Sequence, residues 1–153
     1  MGTSTDAILA YGYDLGTEEW NIHEVDEYGG PNIPWFDNEA HNADFAEAVE
    51  RQLLAAAGFT ETDWSADGYF QRQRQALASW GVELVAHCHI DSPGYILAGH
   101  HVNAWRGDPQ TVDLTELAGL QQAADERLAR ALAALGFTPV QEAPAWFLAS
   151  YWA

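Results

Sequence analysis

The stretch VELVAHCHIDSPGYILAGHHVNAWRG, residues 82–107, decides how the chain is read. In its first part Val82, Leu84, Ala86, Cys88 and Ile90 alternate with Glu83, Val85, His87 and His89. Alternation with period two places the two sets on opposite sides of a half-buried strand. DSPG, residues 91–94, is strong turn chemistry, and YILAGHHVNAWRG returns as a second strand. The favoured register sets Ile90 against Ile96. It matches Leu84, Ala86 and Cys88 with Val102, His100 and Ala98 on the core side, and groups His87, His89 and His101 on the other. A one-residue slip would exchange His100 for His101. Cys88 then reads as a small buried hydrophobe rather than a nucleophile.

Outward from this hairpin, AILAYGYDLG (residues 7–16) is a first strand, rich in aromatic and aliphatic residues. Residues 17–40 are acidic and broken by Gly29, Gly30, Pro31 and Pro34, with EWNIHEV as a short strand candidate. Helical spacing of Phe45, Val49, Leu53 and Ala56 predicts a helix over 42–57, capped by Asn42 or Asp44, and a second helix covers about 66–79. Asp113, with Glu116 three residues on, opens a long helix over 113–135 that Gly136 ends. APAWFLASYW, residues 143–152, is the last strand. The order β, α in two pieces, β, β, α, β predicts one α+β domain over 1–153. Its expected form is a ferredoxin-like β-α-β-β-α-β antiparallel sheet, with helices on one face and an acidic N-terminal excursion. The second sheet face is then open, or covered by the excursion or by another copy of the chain.

Charge is the dominant bulk property. The chain has 23 acids, six bases and a formal net charge of −17. Residues 1–70 hold fifteen acids and one base, Arg51; residues 71–153 hold eight acids and five bases. Such a field repels nucleic-acid backbones and anionic membranes and attracts basic surfaces. No apolar run approaches the roughly 20 residues of a membrane helix. The first residues lack the basic segment of a secretory signal, and a single cysteine fits a reducing compartment, so a cytoplasmic setting is expected. The glycines match neither phosphate-loop template, and no nucleophile triad is suggested.

Two groups of residues remain as candidate sites. Trp20, Tyr28 and Trp35 stand among Glu24, Asp26, Glu27, Asp37 and Glu39. Aromatic anchors with a carboxylate rim suit a protein interface, although the same rings also suit pinning an irregular segment to the sheet. His87 and His89, with His101 from the neighbouring strand, have the residue types of a three-imidazole zinc site. His101 is diagonal to His87 and farther from His89, so no cofactor is expected, with zinc on His87, His89 and His101 as the alternative.

AILAYGYDLG followed by EEW, then LLAAAGFTETDW and ADGYF, and a terminal SYW resemble small acidic proteins of actinobacteria and their phages. The resemblance covers most of the chain and implies no catalytic residue. It implies an intracellular setting, the host cytoplasm if phage-borne, and a host- or defence-directed binding role. The first expectation is therefore a non-enzymatic binding protein, an inhibitor or nucleic-acid mimic that meets a basic protein surface. The alternatives are a small metal-dependent enzyme or small-ligand binder using the histidines, and a homo-oligomeric structural protein joined through the open sheet face.

Overall fold

The computed structural model describes residues 5–37, 39 and 44–153. The elements are β1 (Thr5–Gly16), α1 (Phe45–Ala56), α2 (Tyr69–Ala78), β2 (Glu83–His89), β3 (Ser92–Ala104), α3 (Leu114–Leu135) and β4 (Ala145–Trp152). Asp44 caps α1 by accepting from the Ala46 and Glu47 amides, and Asp113 caps α3 through Thr115 and Glu116. Gly136, with φ 73°, ends α3 in the left-handed region that glycine adopts without strain. Asn42, the other cap considered for α1, lies outside the described residues. EWNIHEV forms isolated bridges, Gly16 with Trp20 and Ile22 with Pro139, instead of a strand.

The chain is α+β; among the described residues there are three helices and one four-stranded mixed sheet. β1 pairs antiparallel with β3 and with β4, and β2 pairs antiparallel with β3. The sheet then closes on itself: the end of β2 runs parallel to the end of β4 at Cys88–Tyr151 and His89–Trp152. The Ile90 amide donates to the Trp152 carbonyl at 3.1 Å across this seam. The first crossover carries two helices, as its two-piece reading expects. The departure is in the sheet, which is closed and mixed, not antiparallel throughout.

The closure has a local cause. The pairing skips Gly99 of β3 between Tyr11 and Gly12, and Leu15 of β1 between Asp14 and Gly16, so a bulge bends each strand. At Gly12 a Cβ would lie 1.8 Å from the Leu97 carbonyl oxygen, so only glycine lets β1 approach β3 there. The residues facing inward near the bend are small: Ala10, Gly94 and Ala98 are all buried. A tightly curled sheet has little room inside, and these positions match that limit.

The β2–β3 hairpin is built differently from the expectation. The turn is Ile90–Asp91, not DSPG; Ser92, Pro93 and Gly94 belong to β3. Leu84 pairs with Leu97, Ala86 with Tyr95 and Cys88 with Pro93, so neither considered register forms. Proline has no amide hydrogen for the ladder. Opposite Pro93, Cys88 leaves the extended region with φ 70°, rare for a residue with a side chain. Cys88 is also exposed, not buried as expected, because it sits at the strand end beyond the helices.

Each face of the sheet has its own core. The outer face carries Tyr11, Leu15 and Leu97 against Phe45, Val49 and Leu53 of α1, and Ala124, Leu128, Ala131 and Leu135 of α3. The inner face joins Ile8, Ala10, Val85, Ile96 and Ala98, with Phe147, Ala149 and Tyr151 packed on them. The second face, expected to be open or covered by the excursion or by another copy, is thus covered by the sheet itself. Among the described residues no helix is long and apolar enough to cross a membrane.

Candidate functional site

The acidic excursion leaves β1 at Gly16, whose φ of 104° and contact with the Glu19 carbonyl leave no room for a side chain. Trp20 folds back to bridge Gly16 and meets Phe45 edge-on at 4.7 Å. Ile22 is buried and bridges Pro139. The Glu24 carboxylate accepts from the Thr138 amide at 2.7 Å. Burial pushes the Glu24 carboxyl up, but the hydrogen bonds from Thr138 outweigh it, and the net direction is down.

Asp26 organises the tip of the excursion. Its Oδ1 accepts from the Tyr28 amide at 2.8 Å and the Gly30 amide at 2.9 Å, an aspartate turn that fixes the backbone. Tyr28 projects from this turn with 89% of its surface exposed, beside exposed Glu27. The chain then returns inward. Ile33 is buried, and the Trp35 indole donates to the Leu135 carbonyl at 2.6 Å. Asp37 and Glu39 are exposed, with the Glu39 amide bonded to the Asp37 carboxylate.

Phe45, the first residue of α1, joins these parts. Trp20, Trp35, Phe36, Tyr95 and Phe137 all contact its ring, with centroids 4.7–6.4 Å apart. Trp20 and Trp35 are therefore held against the core, while Glu27, Tyr28, Asp37 and Glu39 face solvent. Glu47 and Glu50 on α1 are also exposed. Arg51 reaches Glu47 at 3.5 Å, an exposed pair of small energetic weight. Arg127 and Arg130 are engaged elsewhere. They donate to the carbonyls of Gly81, Gly99, Ser79 and Trp80, and Arg130 lies over the Trp80 ring.

The histidines take three different environments. His87 and His101 share the inner face, as their cross-strand partners Gly94 and Ala10 show, whereas His89 follows the left-handed Cys88 and pairs with Trp152. They are not brought together. His101 sits beside Glu83 at the start of β2, its Nε2 2.5 Å from Glu83 Oε2. His87 is four residues farther along, about 13 Å at the rise of a strand. It lies over Gly94, where a Cβ would come within 2.8 Å of its ring. Its Nε2 is buried without a partner, and burial lowers its pKa against the opposing pull of Asp14. His89 stands at the strand end, edge-on to Trp152 at 4.9 Å and 3.6 Å from Asp91. Among the described residues no three His, Cys, Asp or Glu side chains converge as a metal requires. His100 faces the helix side, 6.4 Å from the Trp146 ring.

Two side-chain pairs join segments far apart in the chain. One is Glu83–His101. The other is Tyr11–Asp125, a 2.6 Å hydrogen bond from β1 to α3. Burial first, and then the Asp125 bond, raise the Tyr11 hydroxyl to about 12. Partners 18 and 114 residues apart leave no local signal. No known protein family, curated protein or solved structure matches the chain.

Proposed function

We propose that the chain is a non-enzymatic binding protein whose acidic face meets a basic surface on a partner protein. One observation carries the reading. Aromatic packing on Phe45 fastens the excursion to α1, so that Glu27, Tyr28, Asp37 and Glu39 are presented from a fixed scaffold. A surface already ordered before binding loses less entropy when a partner arrives. Its charge steers a basic partner and turns away nucleic acid and anionic lipid. Tyr28, exposed between carboxylates, is the anchor; Trp20 and Trp35 act through the scaffold. The mode of action is inhibition of a basic protein by occupying its surface, with nucleic-acid mimicry as one form of it, in a cytoplasmic setting. The accompanying fold reading is a ferredoxin-like plan with an added helix, curled until β2 meets β4.

The test is affinity capture at low salt, followed by direct titration of each recovered protein that is itself basic. The complex should weaken steeply as salt rises. Tyr28→Ala combined with Glu27→Gln, Asp37→Asn and Glu39→Gln should release it while the fold is kept. A capture that yields no basic partner, or a complex indifferent to those changes, defeats the reading.

A further inference from the structure

The inner face of the sheet ends, near the start of β1, in a cavity of about 280 Å³. Each strand contributes to it. Asp6 and Ile8 come from β1, Glu83 and Val85 from β2, His101 and Asn103 from β3, and Tyr151 from β4. Cross-strand pairing explains the convergence: Asp6 is opposite Tyr151, Ile8 opposite Asn103, and Glu83 opposite inward-facing Ala98.

The chemistry of the lining is one-sided. Ile8 and Val85 are buried and make an apolar floor. Above them stand two carboxylates, and neither arginine nor lysine lines the cavity. Glu83 is engaged by His101 Nε2 at 2.5 Å, and His101 Nδ1 lies 3.1 Å from Asn103 Oδ1. Asp6 has no such arrangement: its Oδ1 is buried with no hydrogen-bond partner. A carboxylate oxygen removed from water without a donor is costly, and a cation brought alongside that carboxylate offsets the cost. An anion would meet Asp6 and Glu83 head-on. A neutral apolar molecule would leave Asp6 as it is. The volume equals that of about nine waters at ~30 Å³ each, room for a short hydrocarbon with one polar head.

We propose that this mouth of the sheet binds a small organic cation, a primary ammonium on a short hydrocarbon. The ammonium donates to the Asp6 carboxylate, with Glu83 and His101 at the rim, and the hydrocarbon lies on Ile8 and Val85. The site is independent of the acidic face, and failure of either reading leaves the other standing.

The experiment is a methyl and amide NMR titration of the full chain with n-butylammonium chloride. Ammonium chloride and sodium butyrate are the comparison arms. Saturable shifts at Ile8 and Val85 are expected with n-butylammonium alone. Asp6→Asn should weaken binding at least tenfold, and Glu83→Gln, a change at an exposed rim position, several-fold. Glu27→Gln on the acidic face should leave it unchanged. Equal shifts with ammonium chloride, shifts spread over residues 17–50 with none at Ile8 and Val85, or no saturable shift at all would each overturn the proposal. If Asp6→Asn loses the native amide spectrum, Glu83→Gln decides, and wild-type affinity in that variant refutes the site.

Discussion

On its outer side the sheet presents Tyr11, Leu15, Leu97 and Trp146 to the helices; on its inner side it presents Ile8, Ala10, Val85, Ile96 and Ala98 to itself. The outer side has a separate layer to pack against, so it accepts large residues and buries long stripes of α1 and α3. The inner side has only its own curvature, so its fully buried residues are small or β-branched, with Phe147 packed beside them. Toward its ends the covering runs out, and titratable groups appear: Asp6, Glu83 and His101 at one end, Asp14 and His87 at the other. The difference teaches where chemistry can reside in this fold. It sits where a self-covered face stops covering itself.

The largest expected effect comes from breaking the outer layer. Leu128 is fully buried between α3 and the sheet, and Leu128→Ala should cost about 2–5 kcal/mol in urea unfolding. A loss below 1 kcal/mol would mean that the helices contribute less than their burial indicates.

The second test also concerns the outer face. Tyr11 is raised from 10.0 to about 12, first by burial and then by Asp125. The folded state holds this proton more tightly than the unfolded state. The associated stability is complete below pH 10 and is lost as pH rises toward 12. Unfolding free energy should decline over that interval, and Tyr11→Phe should make the decline shallower. It should not abolish it, because burial also raises Tyr13 and Tyr95. Equal slopes in the two proteins would exclude Tyr11 as the source.

A smaller effect is expected on the inner side, where Ile96→Val should cost about 0.5–1.5 kcal/mol by the same unfolding measurement. Ile96 is 2% exposed, but its neighbours are small and closely spaced.

The smallest effect belongs to His87. Its lowered pKa means that the unfolded chain takes up the proton first as pH falls. The stability it contributes is present above the ordinary histidine pKa of 6.5 and is lost as pH falls through the depressed value. Replacement by Gln should flatten stability against pH on the acid side only. A flattening on the alkaline side instead would contradict the assignment.

Much of this architecture was legible in the chain. The caps Asp44 and Asp113 and the stop at Gly136 are local chemistry, and they fall where the residues indicate. The α3 stripe expected through Leu114, Leu117, Leu120, Ala124, Leu128, Leu132 and Leu135 is buried at Leu117, Ala124, Leu128 and Leu135, but Leu114 is exposed. The hairpin misled for a local reason too. Ser-Pro-Gly has strong turn propensity, yet pairing with His87, Cys88 and His89 drew it into β3. Propensity is a small preference, and a row of ladder bonds outweighs it. For the candidate surfaces, the acids were visible but their presentation was not. Whether Trp20 and Trp35 faced out or in depended on Phe45, 25 and 10 residues away in the chain.

By itself the sequence determined element types, most of their ends and the imbalance of charge. All of these depend on neighbours a few residues apart. Only the tertiary structure decided that the sheet closes on itself, that Cys88 is exposed, that His101 joins Glu83 and not His87, and that Tyr11 meets Asp125. Those outcomes depend on strand register and sheet curvature. Both are set by many weak contacts between distant segments, and the close approach permitted at Gly12 leaves no pattern in the residues around it.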